Sequence, residues 1–165
     1  MTLTTHAVVG GSLALLLRHH PVLGIFAAFF SHFVLDAVPH WHYSLPSLKE
    51  DPRGAMYYSL DFGPAFARDA AKVFLDGLSG VFVSLALAYF FSPAAWQLSL
   101  LGGLAGMLPD GLEILYYLWR KLPLTEIQVL HEWAHAKIRL DRSPLLGIAG
   151  QLAIILIFVS ILILK

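Results

Sequence analysis

Five apolar stretches constrain what this chain can fold into more than any other feature. They cover residues 3–17, 21–38, 68–91, 93–119 and 145–164. Crossing the hydrocarbon core of a bilayer takes about 20 mostly apolar helical residues, and fewer where the membrane is thinned or lined by protein. The pattern therefore predicts an all-α integral membrane helical bundle of about five transmembrane helices, formed as one domain over residues 1–165.

Charge and cysteine content exclude several classes of protein. Only 13% of the residues are charged and 58% are hydrophobic, whereas soluble domains are about 25% charged. Eleven Lys and Arg balance eleven Asp and Glu, so nucleic acid is not an expected partner. Because the chain has no cysteine, any bound metal must be held by His, Asp and Glu.

Two longer connections divide the spans. Residues 39–67 are polar and aromatic with several Pro and Gly, which is typical of a surface loop at the lipid headgroups. Residues 120–143 are rich in His, and the part from 125 to 140 has the periodicity of an interfacial amphipathic helix. The predicted order is a hairpin over 3–38, the loop over 39–67, a hairpin over 68–119, the histidine segment over 120–143, and a C-terminal span over 145–164.

The two predicted hairpins are similar to each other, which indicates an internal duplication. In each, the second helix begins with a proline, Pro21 or Pro93, and continues through several small residues. Each second helix also carries an acidic residue near its end, Asp36 or Asp110. If an axis along the membrane normal relates the hairpins, their polar ends meet and the C-terminal helix closes the bundle.

The distribution of Lys and Arg predicts the orientation in the membrane. Nine of these residues fall on the side of the N-terminus, and only Arg18 and Lys165 fall on the other side. The positive-inside rule then places the N-terminus in the cytoplasm and the C-terminus outside. We expect a multi-pass protein of the cell membrane, in direct contact with membrane lipids.

Ionisable residues of the spans gather near the predicted cytoplasmic side. Such residues are costly in lipid and usually face the bundle interior, where they mark function. Together with two histidines of the second connection they are His6, His32, Asp36, Asp76, Asp110, Glu113, His131 and His135. No His, Asp or Glu falls in the opposite half of any span. This confinement to one depth favours a metal site or a proton relay over scattered interhelical hydrogen bonds.

Helical spacing places these side chains on shared faces. His32 and Asp36 are four residues apart, and two further pairs have i, i+3 or i, i+4 spacing. Imidazole and carboxylate together suit zinc or another borderline divalent ion, so we expect one or two such ions. The predicted metal ligands are His6, His32, Asp36, Asp76, Asp110, His131 and His135. Glu132 or Glu113 is the predicted catalytic base.

Residues 131–135 read His-Glu-Trp-Ala-His and match the HExxH motif, in which both histidines bind zinc and the Glu is the base. Intramembrane zinc proteases combine such a motif with a later Asp in a Pro-Asp-Gly setting, and this chain has Leu-Pro-Asp-Gly over 108–111. Here the Asp comes before the motif, and the motif lies outside the spans. An intramembrane zinc metalloprotease is therefore kept as an alternative.

Several short motifs together resemble those of a known family. They are Thr-His at 5–6, Ser-His-Phe-Val-Leu-Asp at 31–36 followed by Pro-His at 39–40, and Met-Leu-Pro-Asp at 107–110. In these motifs, spread over most of its length, the chain is similar to the membrane-bound metal-dependent hydrolases of the YdjM type, which are small inner-membrane proteins. The resemblance implies a metal site in a membrane bundle and a hydrolytic activity.

The sequence as a whole predicts a metal-dependent membrane hydrolase acting on an ester or phosphoester of a lipid-like substrate at the cytoplasmic leaflet. A proton- or metal-coupled transporter would use the same groups as a relay. Such a pathway has little support on the opposite side, where only Ser84, Ser92, Gln97 and Ser99 are polar. A scaffold that binds partners through residues 40–67 is the third alternative.

Overall fold

The fold is all-α, as the sequence predicts. A computed structural model describes all 165 residues. Its helices are α1 (Leu3–Leu16), α2 (Pro21–Asp36), α3 (Phe66–Phe91), α4 (Trp96–Leu118), α5 (Leu124–Ala134) and α6 (Pro144–Ile163). Three helical segments are long and apolar enough to cross a membrane, namely Phe66–Phe91, Pro93–Leu118 and Pro144–Ile163. Helices α1 and α2 are apolar but shorter.

Helix α1 lies at the centre of the bundle. It packs against α2, α3, α4 and α6, and ten of its 14 residues are buried. Its contact with α4 is backbone against backbone, since a Cβ at Gly102 or Gly106 would overlap the carbonyl oxygen of Gly10 or His6. Small residues four positions apart permit this close approach of two helices.

The N-terminus of α1 is capped from a neighbouring helix. The carboxylate of Asp76 on α3 accepts hydrogen bonds from the backbone N–H groups of Leu3 at 2.7 Å and Thr4 at 3.0 Å. The Thr4 hydroxyl donates to the same carboxylate at 2.6 Å. The first N–H groups of a helix have no partner within the helix and carry partial positive charge, so a carboxylate stabilises them.

The long connection after α2 has local structure that the prediction of a surface loop did not include. Leu48–Lys49 and Ser59–Leu60 form two short strands, β1 and β2, that pair antiparallel. A 3₁₀ turn over Ala55–Tyr57 lies between them. The connection is therefore a small hairpin that covers one end of the bundle.

Helix α5 is shorter than predicted. It ends at Ala134, because His135 adopts an extended conformation with φ −67° and ψ 135°. The N–H of Ala136 then donates to the backbone carbonyl of Asp36 at 2.7 Å. The prediction of a helix reaching Leu140 is wrong beyond Ala134, because the chain pairs there with the segment that follows α2.

Candidate metal centre

Four potential metal ligands from three helices meet at one point. His32 and Asp36 come from α2, Asp110 from α4 and His131 from α5, and one ligand atom from each lies within 4.8 Å of the others. His32, Asp36 and His131 are buried. The side chain of Asp110 is 23% exposed, so the group is open at this residue.

Five of the six separations among these ligand atoms are close to those around a tetrahedral ion. His32 Nε2 is 3.1 Å from His131 Nε2, and Asp36 Oδ2 lies 3.0 Å from the first nitrogen and 3.1 Å from the second. Asp110 Oδ1 is 3.6 Å from His32 Nε2 and 3.7 Å from His131 Nε2. With ligand bonds of about 2.0 Å, the ligand atoms of a tetrahedral ion are about 3.3 Å apart.

The ring of His32 is fixed by α4. Its Nδ1 is 2.8 Å from the carbonyl oxygen of Gly106. A carbonyl only accepts, so Nδ1 carries a proton, and in the neutral imidazole Nε2 directs its lone pair at the other three ligands. Nitrogen and carboxylate lone pairs that face one another need positive charge between them, which either a proton on His131 or a divalent cation can supply.

A second carboxylate lies near His131. His131 Nδ1 is 3.8 Å from Glu113 Oε2, too far for a hydrogen bond, and this buried nitrogen has no hydrogen-bond partner. Glu113 Oε1 accepts hydrogen bonds from Tyr117 at 2.6 Å and Gln128 at 3.0 Å. Burial alone would lower the pKa of His131, but the hydrogen bond to Asp36 and the neighbouring carboxylates raise the pKa to about 9. The electrostatics of the group therefore favour a cation at this position.

His6 lies directly beside the four-ligand group. Its ring stacks on that of His32 with centroids 3.9 Å apart, and its Nε2 is 3.2 Å from Asp36 Oδ1. The nitrogen of Met1 is 2.8 Å from the same oxygen. His6 is fully buried, and neither of its ring nitrogens has a hydrogen-bond partner. A buried ring nitrogen without a hydrogen-bond partner destabilises the fold. A cation bound nearby would interact favourably with the lone pair of such a nitrogen, so His6 fits beside a cation site.

Three other predicted site residues lie away from this group. Asp76 uses its carboxylate to cap α1. Glu132 accepts a hydrogen bond from Gln128 at 3.2 Å, and burial together with the nearby charge of Glu113 raises its pKa. His135 faces a separate group of histidines. The two histidines of the HExxH motif thus belong to different groups, because the helix ends between them.

From the sequence, His40 and His42 either extend the site or anchor the chain at the membrane interface, with His40 the better candidate, and neither is among the predicted ligands. These two histidines come together with His135, and their ligand atoms lie within 4.8 Å of one another. A signal was present, since side chains two residues apart point to the same face of an extended segment. The pKa is lowered, chiefly by burial, to about 4 in His40 and about 3 in His42, so both imidazoles are neutral near pH 7.

Comparison with known proteins adds no further evidence on the site. No protein-family model, no curated protein and no solved structure matches the chain. The case for the candidate centre is therefore made by its own geometry.

Proposed function

We propose that this protein is a metal-dependent membrane hydrolase that cleaves an ester or phosphoester of a lipid-like substrate at the cytoplasmic leaflet. The observation that carries the proposal is the four-ligand group of His32, Asp36, Asp110 and His131, with its tetrahedral separations. Zinc is the expected ion, because the ligands combine imidazole and carboxylate. His32, Asp36, Asp110 and His131 would hold the ion, which would supply Lewis-acid chemistry toward a substrate oxygen and a bound water.

The surrounding residues have distinct tasks in this proposal. Gly106 fixes the ring of His32, and Glu113 lies 3.8 Å from His131 Nδ1 without a hydrogen bond to it. Glu132 and Glu113 are the candidate proton acceptors, and they are linked through Gln128. A raised pKa brings Glu132 closer to the value at which a carboxylate can both take and return a proton.

An apolar groove between α2 and α4 supports a substrate with an acyl chain. It has a volume of about 460 Å³ and is lined only by apolar side chains, namely Val22, Ile25, Phe26, Phe29, Phe30, Ala105 and Leu108. Phe29 is three residues, close to one helical turn, before His32 on α2, so this end of the groove lies next to the ligand group. An acyl chain in the groove would hold the headgroup beside the ligand group, where Asp110 is open.

Within the same proposal, α1, α2, α3, α4 and α6 are five spans, with the N-terminus and the site on the cytoplasmic side. The distribution of Lys and Arg supports this orientation. Because the chain has no cysteine, single cysteines can test it directly. A membrane-impermeant maleimide added to intact cells should label His20→Cys and leave Glu50→Cys unlabelled, and the reverse pattern would refute the orientation.

Metal content tests the proposed centre. Wild type purified without chelators should hold at least one divalent ion per chain, measured by plasma mass spectrometry. His32→Ala and Asp110→Ala should lose that ion, because each removes one ligand of four. His19→Ala in the exposed turn after α1 is the matched control. Absence of stoichiometric metal from wild type would refute the hydrolase proposal.

Hydrolysis of p-nitrophenyl esters and phosphodiesters in detergent micelles tests the reaction. Glu132→Gln and Glu113→Gln should retain metal, and at least one should lower kcat by about 100-fold or more if it is the base. Substrates with longer acyl chains should have a lower KM than substrates with short ones. Phe26→Ala in the groove should make this difference in KM smaller. Unchanged rates in both Gln variants would exclude these two residues as bases.

The opposite half of the bundle gives little support to a transport pathway. Ser84 Oγ lies 2.9 Å from the carbonyl oxygens of Ala7 and Gly80, and Ser99 donates to the carbonyl of Ser84 at 2.9 Å. All three contacts hold buried backbone together. The hydroxyls of Ser84 and Ser99 therefore serve as helix contacts, which favours the hydrolase proposal over a relay through these two residues.

A further inference from the structure

A second group of potential ligands lies beside the first and consists only of histidines. His40 and His42 lie on the extended segment after α2, and His135 lies at the end of α5. His42 Nε2 is 2.8 Å from His40 Nε2 and 3.3 Å from His135 Nε2. These distances are close to the spacing of about 3.3 Å between the ligands of a tetrahedral ion.

The opposite nitrogen of each ring faces an acceptor. His40 Nδ1 is 2.6 Å from the carbonyl oxygen of Val38, and His42 Nδ1 is 3.2 Å from Asp141 Oδ1. His135 Nδ1 is 3.4 Å from the carbonyl of Ala136. Acceptors at Nδ1 hold the proton there, so in the neutral rings the three Nε2 lone pairs point at one another. Histidines that bind metal are usually oriented in this way.

Backbone hydrogen bonds join the two segments that carry the three histidines. The segment after α2 and the segment after α5 run side by side, with the N–H of Ala136 bonded to Asp36 and the N–H of Leu140 bonded to His40 at 3.1 Å. The N–H of His42 also donates to Asp141 at 3.0 Å. These backbone contacts therefore help to position His40, His42 and His135 beside one another.

We propose that His40, His42 and His135 bind a divalent metal ion of their own, next to the ion of the four-ligand group. Three neutral imidazoles suit zinc or cobalt and leave a fourth position open. The side chain of His42 is 30% exposed, so ions can reach this site from the surface. Asp36 stands between the two groups, with Oδ2 3.0 Å from His32 Nε2 and Oδ1 3.6 Å from His40 Nε2.

Counting ions per chain tests this site separately from the proposed hydrolytic centre. Metal-free protein in detergent is titrated with Zn²⁺, and bound ions are counted by calorimetry and mass spectrometry. Wild type and the His19→Ala control should bind two ions, while His42→Ala and His32→Ala should each bind one. With Co²⁺, we expect one set of visible absorption bands to be lost from His42→Ala and retained in wild type and in His32→Ala.

A milder variant guards against loss of folding. Asp141→Asn keeps the size of the side chain but weakens the orientation of His42, so the affinity of the second site should fall about 10- to 100-fold. The affinity of the first site should not change. This result would support a metal role, because a purely structural contact would leave Zn²⁺ affinity unaltered.

The possible outcomes separate the two proposals. One ion in wild type that persists in His42→Ala overturns the three-histidine site and leaves the four-ligand centre intact. One ion that is lost in His42→Ala but kept in His32→Ala supports the three-histidine site and overturns the other. Absence of bound Zn²⁺ in wild type overturns both. Two ions with unchanged affinity in Asp141→Asn and His42→Ala also overturn the second site.

Discussion

Helices α1 and α6 are both strongly apolar, and neither contains Asp, Glu, Lys or Arg, yet they occupy opposite environments. Helix α1 has ten buried residues among 14, whereas α6 has three among 20. The residues that α1 buries are mostly small, and those that α6 exposes are mostly Leu and Ile.

In the membrane setting that we propose for this bundle, the difference indicates what places a helix at the centre. Large aliphatic side chains gain nothing by leaving lipid, because lipid tails are equally apolar. Small residues let backbones approach, and the gain comes from packing and from polar contacts. Side-chain size therefore determines which apolar helix lies inside, and this can be tested by exchanging small and large contacts.

Gly106→Ala should have the largest effect. The added Cβ would overlap the backbone carbonyl of His6, which cannot move aside without shifting α1. We expect a loss of about 3 kcal/mol in the free energy of unfolding, measured by thermal or chemical unfolding in detergent. The matched control is Gly150→Ala on α6, where a Cβ meets no atom within 4 Å. Equal losses in both variants would remove the distinction between the helices.

Asp76→Ala should have the next largest effect. It removes the carboxylate that accepts from two N–H groups at the start of α1 and from the Thr4 hydroxyl. We expect a loss of about 2 kcal/mol, since partly buried donors remain unpaired. Glu50→Ala in the exposed connection is the control. A change in the first amide resonances of α1, seen by NMR, would show that the cap is the cause.

Gln151→Leu tests the polar contact through which α6 is held near the N-terminus. Gln151 Oε1 accepts from the Thr2 N–H at 3.0 Å, and its Nε2 donates to the carbonyl of Trp41 at 3.0 Å. A loss of about 1 kcal/mol is expected, in line with interhelical hydrogen bonds in membranes. No measurable loss would mean that α6 is held by apolar packing alone.

Leu156→Ala should have the smallest effect. Its side chain is on the outer face of α6 and 62% exposed, so truncation creates no cavity. The free energy of unfolding in detergent should change by less than about 0.5 kcal/mol. A loss above 1 kcal/mol would indicate that another surface covers this face.

Much of the fold was predictable because apolar length and turn residues are local signals. Pro21, Pro93 and Pro144 mark helical segments whose limits agree with the predicted stretches within a few residues. The end of α5 was not predictable in this way. The periodicity continues through residue 140, but the N–H of Ala136 bonds to Asp36, about a hundred residues earlier.

The candidate site shows the same limit. The similar depth of His32, Asp36 and Asp110 in the predicted spans placed them in one predicted site with His131 of the second connection. The ligand atoms of these four residues lie together in the structure. Depth alone could not distinguish Asp76, which lies at a similar level but faces backbone N–H groups of α1. Nor could i, i+4 spacing reveal that His135 faces other histidines, since that depends on where α5 ends.

The central position of α1 also has a consequence for how the chain is assembled during synthesis. This helix is made before its partners, because α3 begins at Phe66 and α4 at Trp96. Helix α2 can cover one side of α1 as soon as the first hairpin is made, but the α4 glycines that meet the backbone of α1, Gly102 and Gly106, come about a hundred residues later. We therefore expect that slowing the synthesis of α4 leaves this face of α1 uncovered for longer and increases degradation of the chain.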